Sequence, residues 1–184
     1  MFDAFLHVAI GIGLSAAAGF RILMPFLFMS IAANTGYLKL APEMAWMGSQ
    51  GAIVAFAIAA TVEVIVYFIP VLNDFLDLIE IPLAAIAGTI LTATVTSDLD
   101  PFLRWSLAII GGGAIAGGTG AVMGFTRLGS TAVAGPVGNI AVSTAESASS
   151  VVLSILAIAA PILVLLVIAV LFYFGFRQAK RRWS

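Results

Sequence analysis

From Gly51 to Ile69 the only charged residue is Glu63, and the chain offers several more apolar runs of this kind. About 20 such residues in a row are what an α-helix needs to cross the hydrocarbon core. In lipid only a helix or a closed barrel satisfies every backbone N–H and C=O, so repeated runs of this length predict an all-α integral membrane protein. The rest of the composition agrees. Hydrophobic residues make up 62% of the 184 and charged ones 9%, far below the roughly 25% of ordinary globular domains.

Polar breaks divide the runs into six expected transmembrane helices. The first extends from about Ala4 to Ala33, interrupted at Gly19-Phe20-Arg21 and again at Pro25. A loop follows with Tyr37 and Trp46 where interfacial aromatic anchors belong. The second span is about Gly51 to Ile69 and the third about Phe75 to Val95, reached through PVLNDFLDLIEIP. The fourth begins near Phe102, contains GGGAIAGGTGAVMG and gives way to FTRLGSTAVAGPVGN, which reads as an irregular break. Pro161 divides the last apolar run, Ile140 to Phe176, into a fifth and a sixth helix, the alternative being one tilted helix and five spans.

Residues 1–176 thus form a single transmembrane domain, followed by a basic tail, 177–184. Four of the eight basic residues (Arg177, Lys180, Arg181, Arg182) lie in that tail. The positive-inside rule therefore places the C-terminus in the cytoplasm and the acidic SDLDP loop outside, in a bacterial inner (plasma) membrane. The N-terminal MFDAFLHVAIGIGLSAAAGF imitates a signal peptide through Ala16–Ala18. It carries Asp3 and lacks a basic n-region, and reads as the first membrane helix.

Residues 1–97 and 102–176 are faintly alike. GFRILMP then TVE in the first half matches GFTRLGS then TAE in the second, so each half supplies an arginine and later a glutamate. Three helices per half would make such repeats inverted in the membrane, with broken helices at their meeting point.

Arg21, Glu63, Arg127 and Glu146 are the residues expected to carry function. A charge at the bilayer centre costs at least about 2.5–3.5 kcal/mol on insertion scales, so each requires a partner or a water-filled cavity. Either they form a midplane binding site beside the broken helices, or two buried ion pairs merely fix helix register. Ser130, Thr131 and Asn139 belong to the break, where exposed backbone is tolerated only if protein-buried or lining water. Asn73, Asp74, Asp77 and Glu80 share one face at turn spacing. Asn73, Asp74 and Asp77 offer oxygens to a hard cation, but an ordinary solvated, dipole-favoured helix start explains all four residues more simply. The glycines of the fourth span suggest close helix packing, and through it a homo-oligomer. His7 reads as an interfacial histidine rather than a haem or pigment ligand.

Cysteine is absent and histidine occurs once, which removes disulfides, thiolate catalysis and iron–sulfur clusters, along with every motif needing two histidines. No cofactor is implied, no nucleotide fingerprint is present, nucleic acid is not an expected partner, and no Ser–Lys or Asp–Asp arrangement suggests an enzyme.

GIGLSAAAGFRILMPFL, then TVEVIVYFIPVLNDFLDLIEIPLAAIAGTIL, then RLGSTAVAGPVGNIAVSTAES with a long apolar C-terminus resembles, over nearly the whole chain, the bacterial membrane-protein family known as domain of unknown function DUF4126. The resemblance implies that Gly19, Phe20, Arg21, Pro25, Glu63, Pro70, Asp77, Pro82, Arg127, Ser130, Thr131, Gly138, Asn139 and Glu146 stand at the family's motif positions. Asn73 replaces an expected aspartate, weakening a cation site there, and Ile140 replaces an expected proline, making the break less rigid. The family name implies no activity. The sequence alone leads to a small transporter or channel-like protein for an ion or solute, or, as the alternative, a non-transporting scaffold or lipid-binding subunit.

Overall fold

The computed structural model describes residues 2–67 and 70–182; within these, the side chains of 70–78, 131, 134, 136–137, 139, 171–172 and 174–182 lie outside the description. All regular elements among the described residues are helical: α1 (Phe2–Ala18), α2 (Leu23–Asn34), α3 (Gln50–Tyr67), α4 (Pro70–Val95), α5 (Pro101–Leu107), α6 (Ala114–Ala159) and α7 (Pro161–Arg182). A 3-10 helix occupies Pro42–Gly48, and a π-helical segment, Ala108–Gly113, joins α5 to α6 without a break. Three stretches are long and apolar enough to cross a membrane: Gln50–Tyr67, Pro101–Ser130 and Ile140–Ala159. Phe2–Ala18, Leu23–Asn34, Ile79–Val95 and Pro161–Val170 are shorter apolar helices. The described residues are therefore all-helical in their regular structure, with three stretches fit by length and composition to cross a membrane.

α1 is the central element. From Ala9 to Ala18 nearly every residue is buried, and the helix packs on α4, α6 and the start of α7. Its sequence explains the position. Without a hydrophobic drive between helices in lipid, close backbone approach and interhelical hydrogen bonds hold a bundle together, and alanine, glycine and serine permit both. Ser15 shows the second effect, donating to the Gly88 carbonyl at 2.8 Å and lying 2.9 Å from the Thr92 hydroxyl. The first is clearest between α4 and the π-helical turn. A Cβ on Gly88 would meet the Gly112 carbonyl oxygen at 2.5 Å, and one on Gly112 would meet that of Gly88 at 2.5 Å. The outer faces are large and apolar, as lipid contact requires: Val54, Ile58, Val62 and Ile65 on α3, and Leu163, Leu166, Val167 and Val170 on α7.

Several boundaries differ from the sequence expectation. Pro25 does not interrupt the chain again but lies in the first turn of α2, where its missing N–H costs no helical bond. The stretch PVLNDFLDLIEIP is not an approach loop: the helix starts at Pro70 and continues through Pro82. No irregular segment follows Arg127 either. Helix runs on to a kink at Gly135, whose φ of 59° is the single non-helical conformation inside α6 and one that only glycine adopts without strain. Pro161 separates α6 from α7 as expected, with Ala160 out of helical geometry. The basic segment from Arg177 continues α7 as far as Arg182.

Candidate functional site

The break between α1 and α2 is the foundation of the site. After Ala18 the chain turns through Gly19–Ile22, where the Phe20 and Arg21 N–H groups close onto the Ala17 carbonyl, and the first N–H groups of α2 are left without helical partners. Two side chains from other helices bond to this break. Ser150 on α6 donates to the Ala17 and Arg21 carbonyls at 3.0 and 3.3 Å. Glu63 on α3 accepts the Ile22 N–H at 2.7 Å and the Leu23 N–H at 2.9 Å. A carboxylate there is stabilised by the positive end of the α2 dipole as well as by the two hydrogen bonds.

The same turn carries Arg21, which is almost fully buried. Its Nε donates to the Ser147 hydroxyl at 3.1 Å, and its Nη2 donates to the Ser143 carbonyl at 3.0 Å and lies 3.3 Å from Glu146. Its Nη1 has no hydrogen-bond partner among the described residues. Arg127, about two turns before the Gly135 kink, is equally buried and meets two carboxylates. Its Nη1 lies 2.8 Å from one oxygen of Glu80 and its Nη2 3.2 Å from the other. Its Nε donates to both oxygens of Glu146 at 2.9 and 3.1 Å, and Nη2 makes a further short bond to that group. Glu146 therefore bridges the arginines of the two halves of the sequence. Planar, bidentate pairing of this kind is what guanidinium geometry favours in a low-dielectric interior. The Tyr67 ring joins the group from α3, its centroid 3.7 Å from the Arg21 guanidinium carbon and 4.5 Å from that of Arg127.

A cavity of about 620 Å³ opens between α2, α3 and α4. Among the described residues its walls are apolar and its polar side chains are Glu63, Tyr67 and Glu80. Tyr67 thus touches the cavity with one part of its surface and both guanidinium groups with another.

The structure brings Arg21, Arg127 and Glu146 together as one cluster and sets Glu63 beside it as a helix cap rather than as the partner of Arg21. Ser130, one turn beyond Arg127, is half-buried and does not join the cluster. Thr131 and Asn139, and the proposed cation ligands Asn73, Asp74 and Asp77, have side chains outside the described residues. Among the described residues no three His, Cys, Asp or Glu side chains are arranged to hold a metal. Glu80 is a correction: it is neither solvated nor a helix-start residue, since α4 begins at Pro70 and Glu80 is buried against Arg127. His7 stands apart, its Nδ1 2.6 Å from Asp98 at the exposed end of α1.

Tyr67 and the serines were missed, though a signal existed. Tyr67 follows Glu63 by one turn on an otherwise apolar helix. Ser143, Glu146, Ser147 and Ser150 recur at helical spacing, which makes a polar stripe on α6.

A family model described as Domain of unknown function (DUF4126) matches residues 8–181. No curated protein and no solved structure matches the chain.

Proposed function

The chain belongs to the DUF4126 family, and we propose that it is a small multi-pass transporter that takes its solute through the cavity between α2, α3 and α4. The observation that carries this reading is the cavity itself, whose apolar walls end on Glu63, Tyr67 and Glu80 beside a broken helix. Discontinuous helices with charged groups at their breaks are where transporters bind solutes, because irregular backbone at membrane depth must be buried in protein or line a cavity. The closed, mutually paired cluster behind Tyr67 argues for a carrier rather than an open channel.

Six crossings fit this reading, with α1 and α2 together forming the first, and α6 counted on either side of Gly135. Both termini then share one side, and the basic tail favours the cytoplasmic face of a bacterial inner membrane for it. The meeting of Arg21 and Arg127 at Tyr67 supports two inverted repeats. The unequal roles of Glu63 and Glu146 are a departure from that symmetry. We propose no catalytic step and no cofactor.

The test uses proteoliposomes containing the full chain, a trapped pH-sensitive dye and an imposed pH gradient, challenged in turn with Na⁺, K⁺, chloride and tetraphenylphosphonium. Proton movement that requires one of these solutes and disappears in Glu63→Gln supports transport. Folded protein that moves nothing with any of them removes it.

The second reading, a scaffold or lipid-binding subunit, is favoured by the burial of Arg21, Arg127, Glu80 and Glu146 to 3% exposure or less. It expects the charges to serve stability alone, and a partner held through the outward face of the fourth span.

A further inference from the structure

We propose that the cavity between α2, α3 and α4 is a binding site for a lipophilic monocation, with Glu63 as its counter-charge and a proton as the competing occupant. The proposal deepens the transport reading by naming its solute class, and it rests on that reading only for the movement, not for the binding.

Charge comes first. Among the described residues two carboxylates line the cavity, Glu63 and Glu80, and no arginine, lysine or histidine does. Glu80 is held by Arg127. Arg21 and Arg127 share Glu146. Among the described residues, Glu63 is left as the cavity carboxylate without a salt bridge. Two backbone N–H groups and the α2 dipole compensate it in part, the dipole by about half a charge. The remainder, in a low-dielectric setting, calls for a cation or a proton.

The walls decide which cation. Phe26, Val62, Val66, Leu83 and Ile86 offer no ligand set for a small metal ion that must exchange its water shell. Val62, Leu83 and Ile86 line the cavity and are themselves exposed, so its rim is part of the apolar surface that a bilayer would cover. A solute arriving by that route must itself partition into hydrocarbon, as a cation with delocalised charge and apolar substituents does. An anion of the same shape meets two carboxylates and is rejected. The volume, about 620 Å³, lies within the range of sites that enclose drug-sized molecules.

A proton on Glu63 and the cation exclude one another, so binding to the protonated form releases one proton to solvent. Among the described residues, the charged and titratable groups around Glu63 are Tyr67 on its own helix, Arg21 in the break, Glu80 on α4, and Arg127 with Glu146 on α6. All of these but Tyr67 are committed to ion pairs with one another. Glu63 is therefore the group that titrates against the cation.

The experiment is equilibrium binding of tetraphenylphosphonium to the purified full chain in detergent, with its anionic isostere tetraphenylborate as control. Saturable binding that weakens tenfold or more in Glu63→Gln, falls tenfold per pH unit in acid, and is not shared by tetraphenylborate is expected. Equal binding to wild type and Glu63→Gln, or equal binding of tetraphenylborate, overturns the proposal and leaves a merely apolar cavity. If Glu63→Gln does not fold, Leu83→Trp fills the cavity with the cap intact. It must abolish binding, and its failure to do so overturns the site equally. Glu63-dependent binding without any movement in proteoliposomes keeps this site and removes the transport reading. Movement of another solute without such binding does the reverse.

Discussion

The Arg21 guanidinium carbon lies 3.7 Å from the centroid of the Tyr67 ring, and that ring is part of the wall of the cavity. One aromatic side chain therefore separates an apolar space from two buried arginines. Its quadrupole contributes to holding both, by about 0.5–2 kcal/mol per contact as desolvation increases. Tyr67→Phe keeps the ring face and is expected to unfold within about a degree of wild type. Tyr67→Leu loses it and is expected to lower the midpoint by several degrees, read by circular dichroism on heating in detergent. Equal effects of the two substitutions would mean that neither the ring face nor the ring volume is what matters.

Arg127 bridges α4 and the far half of α6 through Glu80 and Glu146. Arg127→Met leaves two carboxylates facing each other in a buried space, and breaking a pair of this kind costs about 3–5 kcal/mol. Arg127→Met with Glu80→Leu removes the stranded charge while Glu146 keeps Arg21, so it is expected to recover most of the loss. The coupling is measured by a double-mutant cycle on unfolding in mixed micelles. A cycle that closes to within about 0.5 kcal/mol of additivity would show that the contact carries no net coupling.

The helical, membrane-embedded character of the chain was legible because apolar runs of membrane length have no other stable solution. The involvement of Arg21, Arg127 and Glu146 was legible because buried charge demands a partner. Which partner was not. Glu80 was assigned to a solvated helix start because it follows Asp74 and Asp77 at turn spacing, and only the early start of α4 at Pro70 moves it to membrane depth. Glu63 was expected in a midplane site or an ion pair with an arginine because opposite charges attract. The unsatisfied N–H groups of Ile22 and Leu23, created by a break whose geometry no spacing reveals, claim it instead. The break expected after Arg127 contracted to a single residue, Gly135, because the neighbouring Ser-Thr-Ala-Val sequence can remain helical.

The glycines of the fourth span divide into two sets with opposite expectations. Gly112 packs inside the molecule against Gly88, and overpacking such a contact costs about 1–3 kcal/mol. Gly112→Val is therefore expected to lower the unfolding midpoint markedly. Gly118 has open space around the place of its Cβ, and Gly118→Val is expected to leave that midpoint unchanged. Light scattering coupled to size exclusion then reads the outward face. A change of mass in Gly118→Val would identify that face as a contact between copies, and an unchanged mass would remove it from any dimer.

Outside the membrane core, Glu43 in the 3-10 helix accepts from Arg104 at 2.6 Å, and this hydrogen bond, with help from backbone, holds its carboxyl below the usual glutamate value. A lowered folded-state value means that the contribution is complete above about pH 4.3, the ordinary value, and is lost as pH falls through the lowered one. Glu43 is exposed, so the effect is small and screened by salt. The difference in unfolding midpoint between wild type and Glu43→Gln is expected to be flat from pH 7 to pH 5 and to vanish in stronger acid. A difference that instead grows in acid would refute this origin.

Glu63 has two separable roles, and two substitutions divide them. Its oxygens close the open N-terminus of α2, and losing a cap costs about 0.5–2 kcal/mol, with stranded N–H groups in an apolar setting toward the upper end. Glu63→Ala removes both acceptors and is expected to lower the unfolding midpoint and to increase amide exchange at Ile22 and Leu23. Glu63→Gln retains one strong acceptor and the shape of the side chain while removing the charge. It is expected to keep most of the stability and the exchange protection, yet to abolish any proton movement in the proteoliposome assay. Should Glu63→Gln and Glu63→Ala lose stability equally, the negative charge itself would be the cap's essential element, through the α2 dipole. Should both retain proton movement, Glu63 would be a structural cap alone, and the cavity would lose the carboxylate that, among the described residues, sets its preference for a cation.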